Sequence, residues 1–225
     1  VMFTLDELVN TEDHGWPVVK EWIDQATNKV EVLPCERIKA EEALVNAQVN
    51  IRSLMGTIIY ETGGILIDNG WIRILGAGSE RMKRSLPGWN RGKTFADYGQ
   101  IPPYLLIADD AVGGLFAING GFLGKDRGQI HYFAPDTLQW ESLDIGYSQF
   151  LMFCFGSNID RFYSTLRWKG WEEDIKLLDP DYGYIFYPYL WAKEGKDMNT
   201  ISRRVVPMQE IYDFNIEMKS TLDKL

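Results

Sequence analysis

The stretch "ILIDNGWIRIL", Ile65 to Leu75, constrains this chain more than any other. Two apolar runs flank Asn69-Gly70, the dipeptide suited to a tight hairpin, because both central positions of such a turn require positive φ. The pattern predicts two antiparallel neighbours joined by a two-residue turn. "PPYLLIADDAVGGLFAI" adds two strands around a turn at Asp109 to Gly114. "GQIHYFAP" and "LQWESLD" add two more, joined through Pro135-Asp136. About six strands linked by tight turns predict a mostly antiparallel meander sheet.

Helical patterns flank this run. "TLDE", Thr4 to Glu7, has capping-box spacing, and Pro17 in "GWPVVKEWIDQA" sits where a first helical turn tolerates it. Val18, Val19, Trp22, Ile23 and Ala26 share one helical face. "KVEVLP" alternates and reads as a short strand or an extended arm, and "ERIKAEEALVNAQV" is rich in helix formers. "SLMGTIIYETGG" reads as a helix capped by Ser53 and stopped by Gly63, with a strand as the alternative. Beyond the strands, "GYSQFLMFCFGS" predicts a buried helix, Asn158 caps the next, and "GWEEDIKLL" carries acids in its first turn, where the helix dipole favours them. "YGYIFYPYLW" reads as extended, and "VPMQEIYDFNIEMKS" as a closing helix with an apolar stripe of Ile211, Tyr212, Phe214 and Met218. The expectation is one α+β domain over residues 1–225: 1–64 mainly helical, 65–144 sheet, 145–225 mainly helical.

The formal net charge of -9 argues against tracking a phosphate backbone, so no nucleic-acid partner is expected. No apolar run approaches the roughly 20 residues that cross a bilayer. No signal-peptide pattern opens the chain, and Val1 ahead of Met2 reads as a cloning residue, so a cytoplasmic location is expected. The two cysteines, Cys35 and Cys154, have no metal spacing and suggest no disulfide.

"WIRILGAGSERMKRS" poses a sharper question. A dinucleotide fingerprint needs a third small residue where Arg81 stands, and a parallel strand before the loop. A Walker loop would need a Gly-Lys-Ser/Thr that does not follow. Gly76 and Gly78 therefore read as a sheet exit, with Ser79 capping a short helix over "ERMKRS". No cofactor or metal is expected. Arg81, Lys83, Arg84, Arg91 and Lys93, with Trp89 among them, form a basic island able to hold an anion, or a solvated loop. Asp109-Asp110 reads as a paired-carboxylate site or as ordinary turn chemistry. His131 alternates within "QIHYF", and no triad spacing stands behind it. Glu172, Glu173 and Asp174 read as a helix start with a solvated face. Trp168, Trp171, Tyr187, Tyr189 and Trp191 read as core or as an aromatic patch.

"ETGGILIDNGWIRILGAGS", "LPGWN", "PPYLLIADDAVGGLFAING", "GYSQFLMFCFG" and "FYPYLW" together resemble a bacterial domain-of-unknown-function family across nearly the whole chain. The block "PPYLLIADDAVGGLFAI" also resembles the central strand-turn-strand of the SUKH superfamily. That resemblance implies an α+β fold and an immunity protein that binds and neutralises a toxin. Neither resemblance brings a catalytic residue. The chain is therefore expected to be a binding protein rather than an enzyme, with a basic protein such as a toxin as its partner. Its candidate contacts are Asp109, Asp110, Glu172, Glu173, Asp174, Arg81, Arg84 and Trp89. The alternatives are an enzyme acting on a small polar substrate through Asp109, Asp110 or His131, and a self-assembling protein.

Overall fold

Thr4 begins the first element as its spacing predicts. Its hydroxyl accepts from the Glu7 N–H at 3.4 Å, and the Glu7 carboxylate accepts the Thr4 N–H at 2.8 Å. The computed structural model describes residues 1–194 and 196–225. In chain order these are α1 (Leu5–Val9), α2 (Trp16–Asp24), β1 (Val30–Leu33), α3 (Arg37–Ala47), α4 (Leu54–Glu61), β2 (Gly64–Ile67), β3 (Ile72–Leu75), α5 (Leu86–Asn90), β4 (Tyr104–Asp110) and β5 (Leu115–Asn119). There follow β6 (Ile130–Ala134), β7 (Gln139–Ser142), α6 (Tyr147–Gly156), α7 (Ile159–Phe162), α8 (Trp171–Leu177), β8 (Tyr182–Tyr187), β9 (Ser202–Pro207) and α9 (Met208–Leu222).

The sheet is the predicted antiparallel meander, with seven strands in the sequential order β1 to β7. The seventh is "KVEVLP", a strand rather than an arm, whose Val30 pairs with Ile67 and Leu33 with Gly64. β8 and β9 form a separate two-stranded ribbon, and β9 is a strand that local patterning did not announce.

The Asn69-Gly70 hairpin is present, but its loop has four residues rather than two. Ile67 pairs with Ile72, leaving 68–71 outside the ladder. Asn69 and Gly70 have φ of 62° and 100°, as predicted, and Asp68 joins them at 49°. Trp71 explains the longer loop. Its ring is fully buried and meets Tyr163, Trp168 and Trp171 at centroid distances of 5.2, 5.8 and 5.2 Å. Packing that large apolar surface outweighs one more ladder pair.

Every residue of β2, β3 and β6 is buried. Strand side chains alternate between faces, so both faces of the sheet are covered. Ile72, Asp110, Phe116 and Tyr132 share one face, where Phe116 meets Phe150 of α6 at 4.9 Å and Tyr132 meets Phe162 of α7 at 5.2 Å. Arg73 and Asp109 point to the opposite face, where Arg73 donates to the Tyr182 carbonyl of β8 at 2.8 Å and lies against Met208 of α9.

Candidate functional site

The glycine loop after β3 is closed on itself. Ala77 N–H donates to the Thr62 carbonyl, Gly78 N–H to Gly63 and Ser79 N–H to Met82, at 2.7 to 3.0 Å. The Ser79 hydroxyl accepts from Arg81 and Met82 N–H. Ser79 thus caps a turn, but no helix follows. The backbone donors of Lys83 and Arg84 go instead to Asp181, which draws the segment out. The helix comes later, as α5 over "LPGWN", with Ser85 as its cap. The backbone donors around Ser79 are therefore engaged within the protein and are not free to cradle an anion.

The basic island is dispersed. Arg81 is exposed and pairs with Glu31. Arg84 is nearly buried, pairing with Asp109 and with Asp181 at 2.9 Å. Trp89 is buried between two cations, the Arg84 guanidinium 4.6 Å and the Lys93 ammonium 3.9 Å from its ring centre.

Asp109 and Asp110 are fully buried, at the end of β4 rather than in the turn. Being consecutive in a strand, their side chains leave on opposite faces. Neither a shared carboxylate site nor a surface contact can form from them. Asp109 stands opposite Arg73 in the ladder and accepts from its Nε at 2.9 Å, and from Arg84. Burial pushes the Arg84 pKa down, but Asp109 and Asp181 together outweigh it, so the net shift is upward. Asp110 accepts from the Val112 and Gly114 N–H groups at 3.1 and 2.7 Å, the Asx-turn chemistry that the turn reading expects. It also accepts from the hydroxyls of Tyr132 at 2.7 Å and Tyr163 at 2.9 Å. Burial raises the Asp110 pKa against the bonds from Tyr132, Gly114 and Tyr163 and the charge of Arg73, all of which lower it. Burial and the adjacent carboxylate raise both tyrosines well above their ordinary range, which keeps them protonated as donors.

His131 does meet a carboxylate. Its Nε2 lies 3.0 Å from both oxygens of Asp126, whose Oδ2 also accepts from Ser142 Oγ at 2.6 Å. The Ser142 hydroxyl, first of all, and His131 after it hold the Asp126 carboxyl down to about 2. The order is serine, aspartate, histidine. A nucleophilic pair needs the imidazole against the hydroxyl, and here the carboxylate stands between them.

The acids of α8 have the opposite setting. Glu172 and Glu173 are exposed and pair with Lys29 at 3.3 Å and Lys176 at 2.6 Å. Asp174 accepts from Trp168 Nε1 at 2.7 Å and from Arg203 at 3.2 Å. Beside them an open groove of about 430 Å³ runs between α8 and the ribbon. Leu177, Leu178, Tyr182, Tyr184 and Val205 line it, with the carboxylates of Asp174 and Asp179. Leu177 is 90% exposed, and Tyr182 and Val205 are also exposed. Sequence reasoning missed this apolar lining because it needs β9, and Val205 reaches the groove only through its pairing with Tyr184. The one local signal was Leu177, the apolar residue that closes α8. Of the expected aromatic patch, Trp168 is core and Tyr187 is exposed.

Buried acids enclosed by their own donors, and a solvent-facing apolar groove with acidic edges, belong to an α+β protein. The chain belongs to the family described as "Protein of unknown function DUF2625", whose model matches residues 5–211. It is 43% identical over 220 residues to the Escherichia coli (strain K12) protein YbfG, described as uncharacterised, with 98% of this chain and 99% of that protein covered. It is 39% identical over 222 residues to an uncharacterised protein of Haemophilus influenzae, covering 99% and 97%. No helix among the described residues is long and apolar enough to cross a membrane.

Proposed function

We propose that this protein is a binding module that docks a basic protein segment in the groove between α8 and the β8–β9 ribbon. The observation that carries the reading is Leu177, a large apolar side chain left 90% exposed beside an aromatic floor. Exposed apolar centres with polar rims are typical of docking sites. The rim carboxylates of Asp174 and Asp179, with Glu172 and Glu173 on the same helix start, select the sign of the partner. A lysine or arginine suits the site because its apolar stem can lie on Tyr182 and Tyr184 while its charge meets a carboxylate. The chain's net charge of -9 favours the same encounter at long range. Neutralisation of a toxin is the form this activity takes if the resemblance of "PPYLLIADDAVGGLFAI" to the SUKH superfamily extends to function.

The test is capture from native lysate and secreted fractions at low and high salt, followed by reconstitution with the purified partner. Wild type should bind a basic protein in a salt-sensitive way, and Leu177→Glu should weaken binding at least about tenfold. A purified partner that binds Leu177→Glu equally well overturns the assignment. The enzyme reading replaces it if a metabolite screen finds turnover that His131→Ala abolishes.

A further inference from the structure

A second cleft, of about 260 Å³, lies on another part of the surface, between the C-terminal end of α3, α5 and residues 95–102. Its lining is uncharged. None of its thirteen residues is ionisable, in a chain of which 24% of residues are charged. The walls are aliphatic and aromatic, among them Met55, Leu86, Phe95 and Leu105, and Ile101 stands at the rim 94% exposed. Three carboxamides supply the polar groups.

Those carboxamides are not equivalent. Gln48 is fully engaged: its oxygen accepts the Phe3 N–H at 2.7 Å, and its nitrogen donates to the carbonyls of Val45 at 2.6 Å and Phe3 at 3.1 Å. It fixes the wall and ties the N-terminal arm beside it. Gln100 uses only its oxygen, which accepts from the N–H groups of Ala96 and Asp97 at 3.0 and 3.1 Å. Its NH₂ group has no partner among the described residues. The Asn46 side chain, also lining the cleft and half-buried, makes no hydrogen bond to the described residues. The polar capacity left open carries no charge and consists of two NH₂ groups and the Asn46 carbonyl oxygen.

We infer that this cleft binds a small uncharged molecule with an apolar body and one carbonyl, whose oxygen accepts from the NH₂ groups of Asn46 and Gln100. A charged ligand would lose its hydration here without gaining a counter-ion. The volume suits a compact ligand, at the small end of known sites.

Benzamide and benzoate share a ring and differ in charge, so the pair isolates the claim. Saturation-transfer NMR and the Met55 methyl shift should show benzamide binding at least about tenfold tighter than benzoate. Met55→Trp, which fills the cleft, should abolish the benzamide signal. Ile101→Glu, at a position too exposed to disturb folding, should weaken it. Asn46→Ala should weaken it several-fold through the lost hydrogen bond. Equal binding of benzoate, benzamide binding untouched by both Met55→Trp and Ile101→Glu, or no benzamide signal at millimolar concentration overturns the inference. None of these outcomes bears on the α8 groove.

Discussion

Asp109-Asp110 and Glu172-Glu173-Asp174 look alike in sequence, as short acidic runs, and have opposite fates. On a strand, the two aspartates leave on opposite faces of a sheet covered on both sides, and each is enclosed by donors. In the first turn of a helix, Glu172 and Glu173 project to solvent, while Asp174, bonded to Trp168 and Arg203, edges the groove. Charge count therefore says little about role, and the element beneath the charge decides it. The buried pair fixes the fold: Arg73, Asp109, Arg84 and Asp181 link β3, β4 and the loop after β3 to the segment entering β8. The exposed run leaves its carboxylates near a surface that something else can use.

The comparison breaks most visibly at Asp109. Asp109→Ala leaves Arg73 buried without its counter-ion, and it should destabilise the protein by about 3–5 kcal/mol in urea unfolding. A loss under about 1 kcal/mol would mean that the network does not hold the ribbon to the sheet. Gly114→Ala probes the other face. An added Cβ would stand 2.1 Å from Asp110 Oδ2 and 2.2 Å from the Tyr132 hydroxyl, so the cradle must open. Overpacking of this kind costs about 1–3 kcal/mol, read in the same unfolding experiment.

Acid titration separates a buried aspartate from a partly open one. Burial holds Asp110 above the ordinary 3.8, so ionisation costs more in the folded state than in the unfolded one. That cost is present above the folded pKa and relieved as pH falls through it. Asp126 runs the other way. At about 2 against 3.8, its contribution is present above 3.8 and is lost as pH falls toward 2. Ser142→Ala removes the largest cause, so the Asp126 carboxyl carbon should titrate closer to 3.8. An unmoved midpoint would show that the serine does not bond there.

What was legible in the sequence follows the range of each interaction. Asn69-Gly70, the Thr4–Glu7 box and the Ser53 and Asn158 caps are decided within a few residues, and all four are present. The length of the hairpin loop was not legible, because Trp71 is placed by aromatic residues about a hundred positions away. The burial of Asp109 depends on Arg73 and Arg84, 36 and 25 residues earlier, and that of Arg84 on Asp181, 97 residues later. β9 escaped notice because "SRRVVP" has too short an apolar pattern and becomes a strand only against β8. The acids of α8 were legible as a helix start, but the apolar groove beside them required the ribbon.

The smallest stability effect is expected at α8, and it sharpens the comparison because binding and folding should part there. Glu173 is exposed, and among the described residues its side chain pairs only with a lysine three residues on, so Glu173→Gln should change stability by about 0.5 kcal/mol or less. Its favourable place in the helix dipole adds a term of the same small size. Leu177→Glu should be equally mild, since the side chain is already 90% exposed and loses little packing. Asp174 is excluded from this set because it also accepts from Trp168 and Arg203, and its loss would disturb the groove wall. For the purified partner, Glu173→Gln should chiefly slow association and flatten its salt dependence, because a rim charge acts on encounter. Leu177→Glu should instead speed dissociation, because it removes the apolar anchor. Stopped-flow association and dissociation rates across a salt series distinguish the two. If both variants alter only the unfolding midpoint and neither rate moves, the exposed acids are as structural as the buried ones, and the contrast between the two regions fails.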